Sequence, residues 1–248
     1  MRKKKEISSA EMGFFDHLEE LRWRIVKALV GIVIGAIVCW IFIDPIIEDI
    51  LIRPAINSKL KLQNLRPFGQ FFLYMQVAIA GGVILSFPNI LYQLWKFIAP
   101  GLYANERKYI FGIVFFTSFC FMSGISFAYF LMIPFALGFF ESFGTENIEN
   151  IIAIGEYLSF VITVMLGAGL IFELPMVTLF LSRLGIVTPE FMKKYRRHAI
   201  VIIFIMAAIL TPPEPITQTM LAVPLIALYE VSIFLSKIAW KKRKEKNE

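Results

Sequence analysis

The sequence predicts an all-α integral membrane protein: six transmembrane helices, kinked and gathered into a curved, concave bundle, with both termini cytoplasmic. Three observations lead there. Hydrophobic residues make up 58% of the 248 and charged residues only 18%, whereas soluble domains run near half apolar and a quarter charged. The apolar residues fall in runs that approach or exceed 18 residues with few charges, the signature of a membrane span. The Lys and Arg residues gather in alternate connections. A soluble all-α protein would keep a polar face on its long helices and would not need 25 Phe.

The elements follow in chain order. Met1-Arg2-Lys3-Lys4-Lys5 is basic, but a polar and amphipathic stretch follows it, so no cleaved signal peptide is expected. Ser8-x-x-Glu11 fits a capping box. Phe14, Leu18, Leu21 and Ile25 then fall on one side of a helix and Asp16, Glu20 and Arg24 on the other, which predicts a cytoplasmic amphipathic helix over 8–22 lying at the membrane surface. Span 1, 24–43, carries Gly31-x-x-x-Gly35, a small-residue packing motif. A contact within the chain, with a partner helix or between copies satisfies it equally. The outer loop of 44–70 holds Pro45, Pro54 and Pro67, and its Ile46, Ile47, Ile50 and Leu51 stripe suits a short helix capping the outer rim.

Spans 2 to 4 are expected at 71–95, 109–133 and 157–181. Span 5, 198–210, has 13 residues, about 20 Å of helix against a bilayer core of roughly 30 Å. Pro212 and Pro213 stop its outward extension; a start near Tyr195, with Arg196 and Arg197 snorkelling, is the alternative. Span 6 covers 218–237 and a basic tail 238–248. Pro88, Pro175 and Pro224 lie inside spans and each removes a helical hydrogen bond and bends its helix. The whole chain, 1–248, reads as one membrane domain.

Charge sets the orientation. Seven Lys/Arg precede span 1 or sit in its first turn, three follow span 2, five follow span 4 and six lie from Lys237 to the end, 21 of the chain's 25. Arg53, Lys59, Lys61 and Arg66 share the one long loop on the other side. The positive-inside rule then places both termini in the cytoplasm, which requires an even number of spans. The net charge of +6 is therefore topological and no nucleic-acid partner is implied; the basic tail lies near anionic lipid headgroups.

Little in the chain suggests catalysis. Cys39 and Cys120 sit inside apolar runs, so neither a disulfide framework nor a metal site is expected, and no cofactor is implied. Nucleotide-binding, zinc-protease and serine-hydrolase motifs are missing. His17 and His198, the two histidines, are far apart at cytoplasmic boundaries. Glu173 and Glu230 do stand out, since acids within spans face a cavity or a partner or are protonated and bonded to a neighbouring helix. At the inner surface, Asp16 and Glu20 form an i,i+4 like-charge pair that a bound cation would relieve. Alternatively Glu20 pairs with Arg24, and Glu106 with Arg107 or Lys108. A carboxylate on this basic face suits a guanidinium, which binds acids in a two-pronged geometry.

Several segments together resemble the TatC family over nearly the whole chain. They are His17-Leu18-Glu19-Glu20-Leu21-Arg22, Pro88-Asn89-Ile90-Leu91-Tyr92-Gln93-Leu94-Trp95, Phe97-Ile98-Ala99-Pro100-Gly101-Leu102-Tyr103 with Glu106-Arg107, Phe172-Glu173-Leu174-Pro175, and Thr211-Pro212-Pro213-Glu214 leading to Gln218. The resemblance implies a subunit in the cytoplasmic (inner) membrane of a prokaryote. It would bind the twin-arginine signal peptides of folded cargo, assemble with single-span TatA- and TatB-type subunits and with its own copies, and export cargo at the expense of the proton-motive force. It implies that Glu20 and Glu106 bind the paired arginines, supported by Arg22, Phe97, Pro100, Leu102 and Tyr103. Glu173 matches the family's intramembrane glutamate. Pro54, Glu214 and Gln218 match positions tied to function or partner contact, with Glu214 where the family often has aspartate. A proton-coupled small-solute transporter using Glu173 and Glu230 is the alternative reading, and a structural scaffold a third.

Overall fold

The computed structural model describes residues 14–56, 58, 61–65, 69–98, 110–142, 151–210 and 215–247. They fall into two compact units, one drawn from Met1–Ile41 and Ala78–Ser118, the other from Phe42–Val77 and Phe119–Glu248. Helix dominates, as it must in a solvent that offers no hydrogen bonds to the backbone.

Helix α1, Phe14–Ile41, is unbroken over 28 residues, about 42 Å. The described part of the expected surface helix is thus the first turns of the same rod as span 1. No Gly or Pro stands between Phe14 and Val30 to interrupt the ladder. Much of its apolar surface faces outward, with Leu29, Val33, Ile34 and Ile37 each more than half exposed. Such a surface suits lipid and would be a liability in water.

After α1 the chain makes a compact outer segment: α2 (Ile43–Pro45), a π-helical turn (Ile46–Leu51) and α3 (Arg53–Ile56). Ile47, Leu51 and Ala55 are buried while Ile50 is exposed, so the predicted apolar stripe does turn one edge inward. Strand β1, Lys61–Gln63, pairs in parallel with β2, Ile151–Ala153, in the register Lys61↔Ile151. Three-residue strands are too short to show an alternation in sequence, and neither was expected.

Helix α4, Gly69–Ile98, continues through Pro88. Span 3 is longer than expected: α5 (Ile110–Phe127), a π-helical turn (Ala128–Met132) and α6 (Ile133–Ser142) run on in succession. Pro134 follows the π turn directly and has no N–H to complete an ordinary helical bond. Within that turn Tyr129 donates its hydroxyl to the Ile50 carbonyl at 2.8 Å, and Tyr157 donates to Leu51 at 2.8 Å. The outer segment is therefore tied to two long helices.

Span 4 is two helices, α7 (Ile154–Ile171) and α8 (Leu174–Leu184), separated at Phe172–Glu173, with Pro175 at the start of α8. Gly185 ends α8 in the left-handed conformation, φ 81°, which glycine adopts without a Cβ penalty. Thr188 then caps α9, Pro189–Lys194, by accepting from the Phe191 N–H at 3.1 Å.

Helix α10, Arg196–Leu210, has 15 residues, about 22 Å. It begins two residues before the expected start and is still short of the bilayer core. Helix α11 runs from Pro215 to Asn247 and continues through Pro224. Five helical stretches are long and apolar enough to cross a membrane: Phe15–Ile41, Gly69–Ile98, Phe111–Ser142, Ile154–Leu184 and Gln218–Lys241. Short α10 is the sixth apolar helix among the described residues. It packs on α11 through Ile203, Ala207, Leu221, Ala222 and Leu225.

The first unit rests on one close approach. A Cβ added at Gly82 would lie 2.6 Å from the Ala36 nitrogen and 2.7 Å from the Ile32 oxygen, and one at Gly35 would lie 2.8 Å from the Gly82 oxygen. The Gly31-x-x-x-Gly35 motif thus packs within the chain, against α4. Replacing Gly82 by Val is expected to destabilise the detergent-solubilised protein by about 1–3 kcal/mol, the usual effect of overpacking, read as a lower midpoint in thermal unfolding. Gly112→Ala, where an added Cβ meets nothing within 4 Å, is expected to leave the midpoint unchanged or raise it slightly.

Candidate functional site

Residues 17, 20, 24, 27, 31 and 35 recur at intervals of three and four and so lie on one stripe of α1. Gly82, Ser86, Asn89, Gln93 and Phe97 form the corresponding stripe of α4. With glycine at position 31, the Asn89 side chain fits beside α1: an added Cβ there would lie 2.4 Å from Asn89 Nδ2. Asn89 donates to the Lys27 carbonyl at 3.3 Å, and Gln93 donates to Asn89 at 3.3 Å. The bonds align the two helices between their glycine contact and the N-terminal end of α1.

At the end of this seam the His17 imidazole stacks on the Phe97 ring, with centroids 4.4 Å apart and planes 16° from parallel. One turn further along α1, Glu20 is gripped by Arg24. Arg24 Nε donates to Glu20 Oε1 at 3.0 Å, and Nη2 donates to the same oxygen. Both partners are largely shielded, Arg24 13% and Glu20 22% exposed. The second oxygen, Oε2, is buried and has no hydrogen-bond partner among the described residues. His17 Nδ1 lies 4.0 Å from it, beyond bonding distance. A carboxylate can accept about four hydrogen bonds, so this one keeps capacity for a further cationic donor.

The structure brings together Glu20 and Phe97 of the residues expected to bind peptide. Arg22 points elsewhere: it lies 3.6 Å from Glu19, 69% exposed, with its guanidinium over Trp23. Two residues apart on a helix, Arg22 and Glu20 cannot share a face. Pro100, Leu102, Tyr103, Glu106 and Glu214 lie outside the described residues. Sequence reasoning gave His17 no part in the site; its i,i+3 spacing from Glu20 is the signal that points to it.

The second unit holds the remaining polar residues. Pro54 is half-buried in α3. Gln218 donates to the Phe204 carbonyl at 2.9 Å, bridging α11 to α10. Glu230 of α11 is paired with Arg196 at the start of α10, side chains 41% and 52% exposed, so its charge is answered within the chain. Glu173 sits at the break between α7 and α8, 8% exposed, and its Oε1 has no hydrogen-bond partner among the described residues. Among these residues no group of three His, Cys, Asp or Glu is placed to hold a metal ion.

With this geometry in place, comparison with known proteins is informative. Residues 16–224 match the family described as Sec-independent protein translocase protein (TatC). The Sec-independent protein translocase protein TatC of Desulforapulum autotrophicum is 38% identical over 95% of this chain and 88% of its own length. That of Carboxydothermus hydrogenoformans is 40% identical over 91% of this chain and 93% of its own. A crystal structure titled as that of the twin arginine translocase receptor TatC superimposes with a TM-score of 0.82 at 36% identity, covering 90% of this chain and 99% of the other.

A buried oxygen left without a partner destabilises by about 1–3 kcal/mol. Glu173→Leu is therefore expected to hold or raise the thermal midpoint in detergent, the behaviour of a residue kept for a task at some expense in stability. A midpoint that falls would make Glu173 a structural bond instead.

Proposed function

The chain belongs to the TatC family of Sec-independent protein translocase proteins, and from that premise we propose that it is the receptor core of a twin-arginine export system. It binds the twin-arginine signal peptides of folded cargo at its inner surface and nucleates the translocon with single-span TatA- and TatB-type subunits and further copies of itself. Export draws on the proton-motive force. In this reading the chain crosses the cytoplasmic membrane of a prokaryote six times, with both termini inside.

The observation that carries the proposal is the shielded Glu20 carboxylate, one oxygen held by Arg24 and the other buried with no partner among the described residues. An incoming guanidinium docks on Oε2 while Arg24 keeps Oε1, so the site need not dismantle its own ion pair to receive cargo. The second arginine of the signal goes to Glu106, the other acid that the family resemblance assigns to the pair. By the family resemblance Pro100, Leu102 and Tyr103 support binding of that arginine, while Arg22, turned toward Glu19 and Trp23, acts away from Glu20. Glu173 offers a partner helix a polar group within the membrane. Pro54, Glu214 and Gln218 serve the outer side and its partner contacts.

The transporter reading needs a second membrane acid free to exchange protons. Glu230 is engaged by Arg196, and it contributes here as a clamp between α10 and α11.

Charge-assisted hydrogen bonds contribute about 1.5–3 kcal/mol each, so Glu20→Gln is expected to weaken binding of a fluorescent twin-arginine peptide about 10- to 100-fold. The Glu20→Ala, Glu106→Ala double variant is expected to abolish binding while still inserting in the membrane with normal helicity. Fluorescence anisotropy with protein in lipid nanodiscs reads both. Undiminished binding by the double variant would remove the site.

A further inference from the structure

We propose that the stacked His17–Phe97 pair is a guanidinium-selective platform, the element by which this surface tells arginine from lysine. The inference rests on the reading above that Glu20 receives an arginine of the signal peptide, and it adds a residue and a mechanism of discrimination to that reading.

A carboxylate alone discriminates poorly. Glu20 Oε2 would accept a hydrogen bond from a lysine ammonium as readily as from a guanidinium, since both are cationic donors. Selectivity requires a second feature that a flat, delocalised cation can use and a compact, strongly hydrated one cannot. Aromatic stacking is that feature: a guanidinium lies flat on a ring while bonding in its own plane, whereas an ammonium keeps its water and gains less.

The geometry provides it. Phe97 covers one face of the His17 imidazole at 4.4 Å. The His17 side chain remains 44% exposed, and its Nδ1 lies 4.0 Å from Glu20 Oε2, the buried oxygen with no partner among the described residues. A guanidinium bonded to Oε2 at an ordinary length of about 2.9 Å would thus have an imidazole within stacking range. Phe97 holds that ring in place, because rotating the imidazole would break the stack. The site already shows how it treats its own cation: the Arg24 guanidinium is spent on Oε1 and leaves the His17 side free. The 4.0 Å separation means that His17 does not satisfy Glu20 itself; it stands beside the carboxylate without competing for it.

The test compares two synthetic signal peptides, one with paired arginines and one with paired lysines, each titrated onto the full-length protein in nanodiscs. The wild type is expected to prefer arginine. His17→Ala is expected to weaken the arginine peptide about five-fold, the range of a single partly desolvated cation–π contact, while changing the lysine peptide less than about two-fold, so that the preference collapses. His17→Phe, which restores a ring on Phe97, is expected to recover most of the preference. An equal loss for both peptides would make His17 a packing residue only, and no loss for either would remove it from the site; each result overturns the platform. A His17→Phe variant as unselective as His17→Ala would overturn it too. Failure of the underlying reading looks different: Glu20→Gln would then leave arginine-peptide affinity unchanged, whatever happens at position 17.

Discussion

Backbone contact between α1 and α4 is the constraint on which the site around Glu20 depends. Lipid tails are as apolar as leucine, so two membrane helices gain little by hiding apolar surface from them and must gain by packing closely. Gly35 and Gly82 permit that approach, leaving no room for a Cβ on either side. Contacts between the helices nearer the α1 N-terminus inherit their register from this point: Asn89 reaching Lys27 and His17 meeting Phe97. A helix pair held a few ångströms further apart would leave His17 and Phe97 without a stack.

The second unit uses polar pairs where the first uses glycine. Ser182 of α8 and Ser236 of α11 share a hydrogen bond at 2.7 Å, and both are fully buried, as is Ser232. Small hydroxyl residues let these helices come close and still satisfy every polar atom. Tyr229 donates to the Met192 carbonyl at 2.9 Å and Glu230 pairs with Arg196, so α9 and α10 are fastened to α11 near one end. Gln218 fastens α10 to α11 at the other. Short α10, too brief to span a bilayer by length alone, is held by its neighbour through its whole course. Glu173 differs from all of these in leaving a buried oxygen unanswered among the described residues.

Helical spans were legible in the sequence because lipid leaves the backbone one local solution and requires long uninterrupted apolar runs. The short helix at 196–210 and the chain break at Glu173–Pro175 were legible for the same reason, each marked by proline or charge. Less visible was how helices end inside the protein. The surface helix merges into α1 because nothing in the sequence interrupts it, and span 3 runs on to Ser142 by absorbing an extra residue in a π turn. Parallel strands of three residues carry no periodicity to read. At the site, Glu20 stood out as an acid on a basic face, and the structure shows the pairing with Arg24 that the sequence offered as one of its alternatives, with Oε2 unpartnered among the described residues. Sequence reasoning assigns His17 no role because its i,i+3 spacing from Glu20 fits any helix surface; only the fold shows that it lies on Phe97. Similarly, the Gly31-x-x-x-Gly35 motif announced a close helix contact without naming the partner, which the structure identifies as α4.

The central claim is that the open oxygen of Glu20 receives a guanidinium of the signal peptide. Solid-state NMR with a peptide carrying ¹⁵N-labelled arginine side chains and protein carrying ¹³C-labelled glutamate carboxyls measures this directly. The account predicts dipolar coupling between a guanidinium nitrogen and the Glu20 carboxyl carbon, at a separation of about 4 Å, that disappears when the labelled arginines are replaced by unlabelled ones. Saturating peptide bound with no coupling to Glu20 would contradict it.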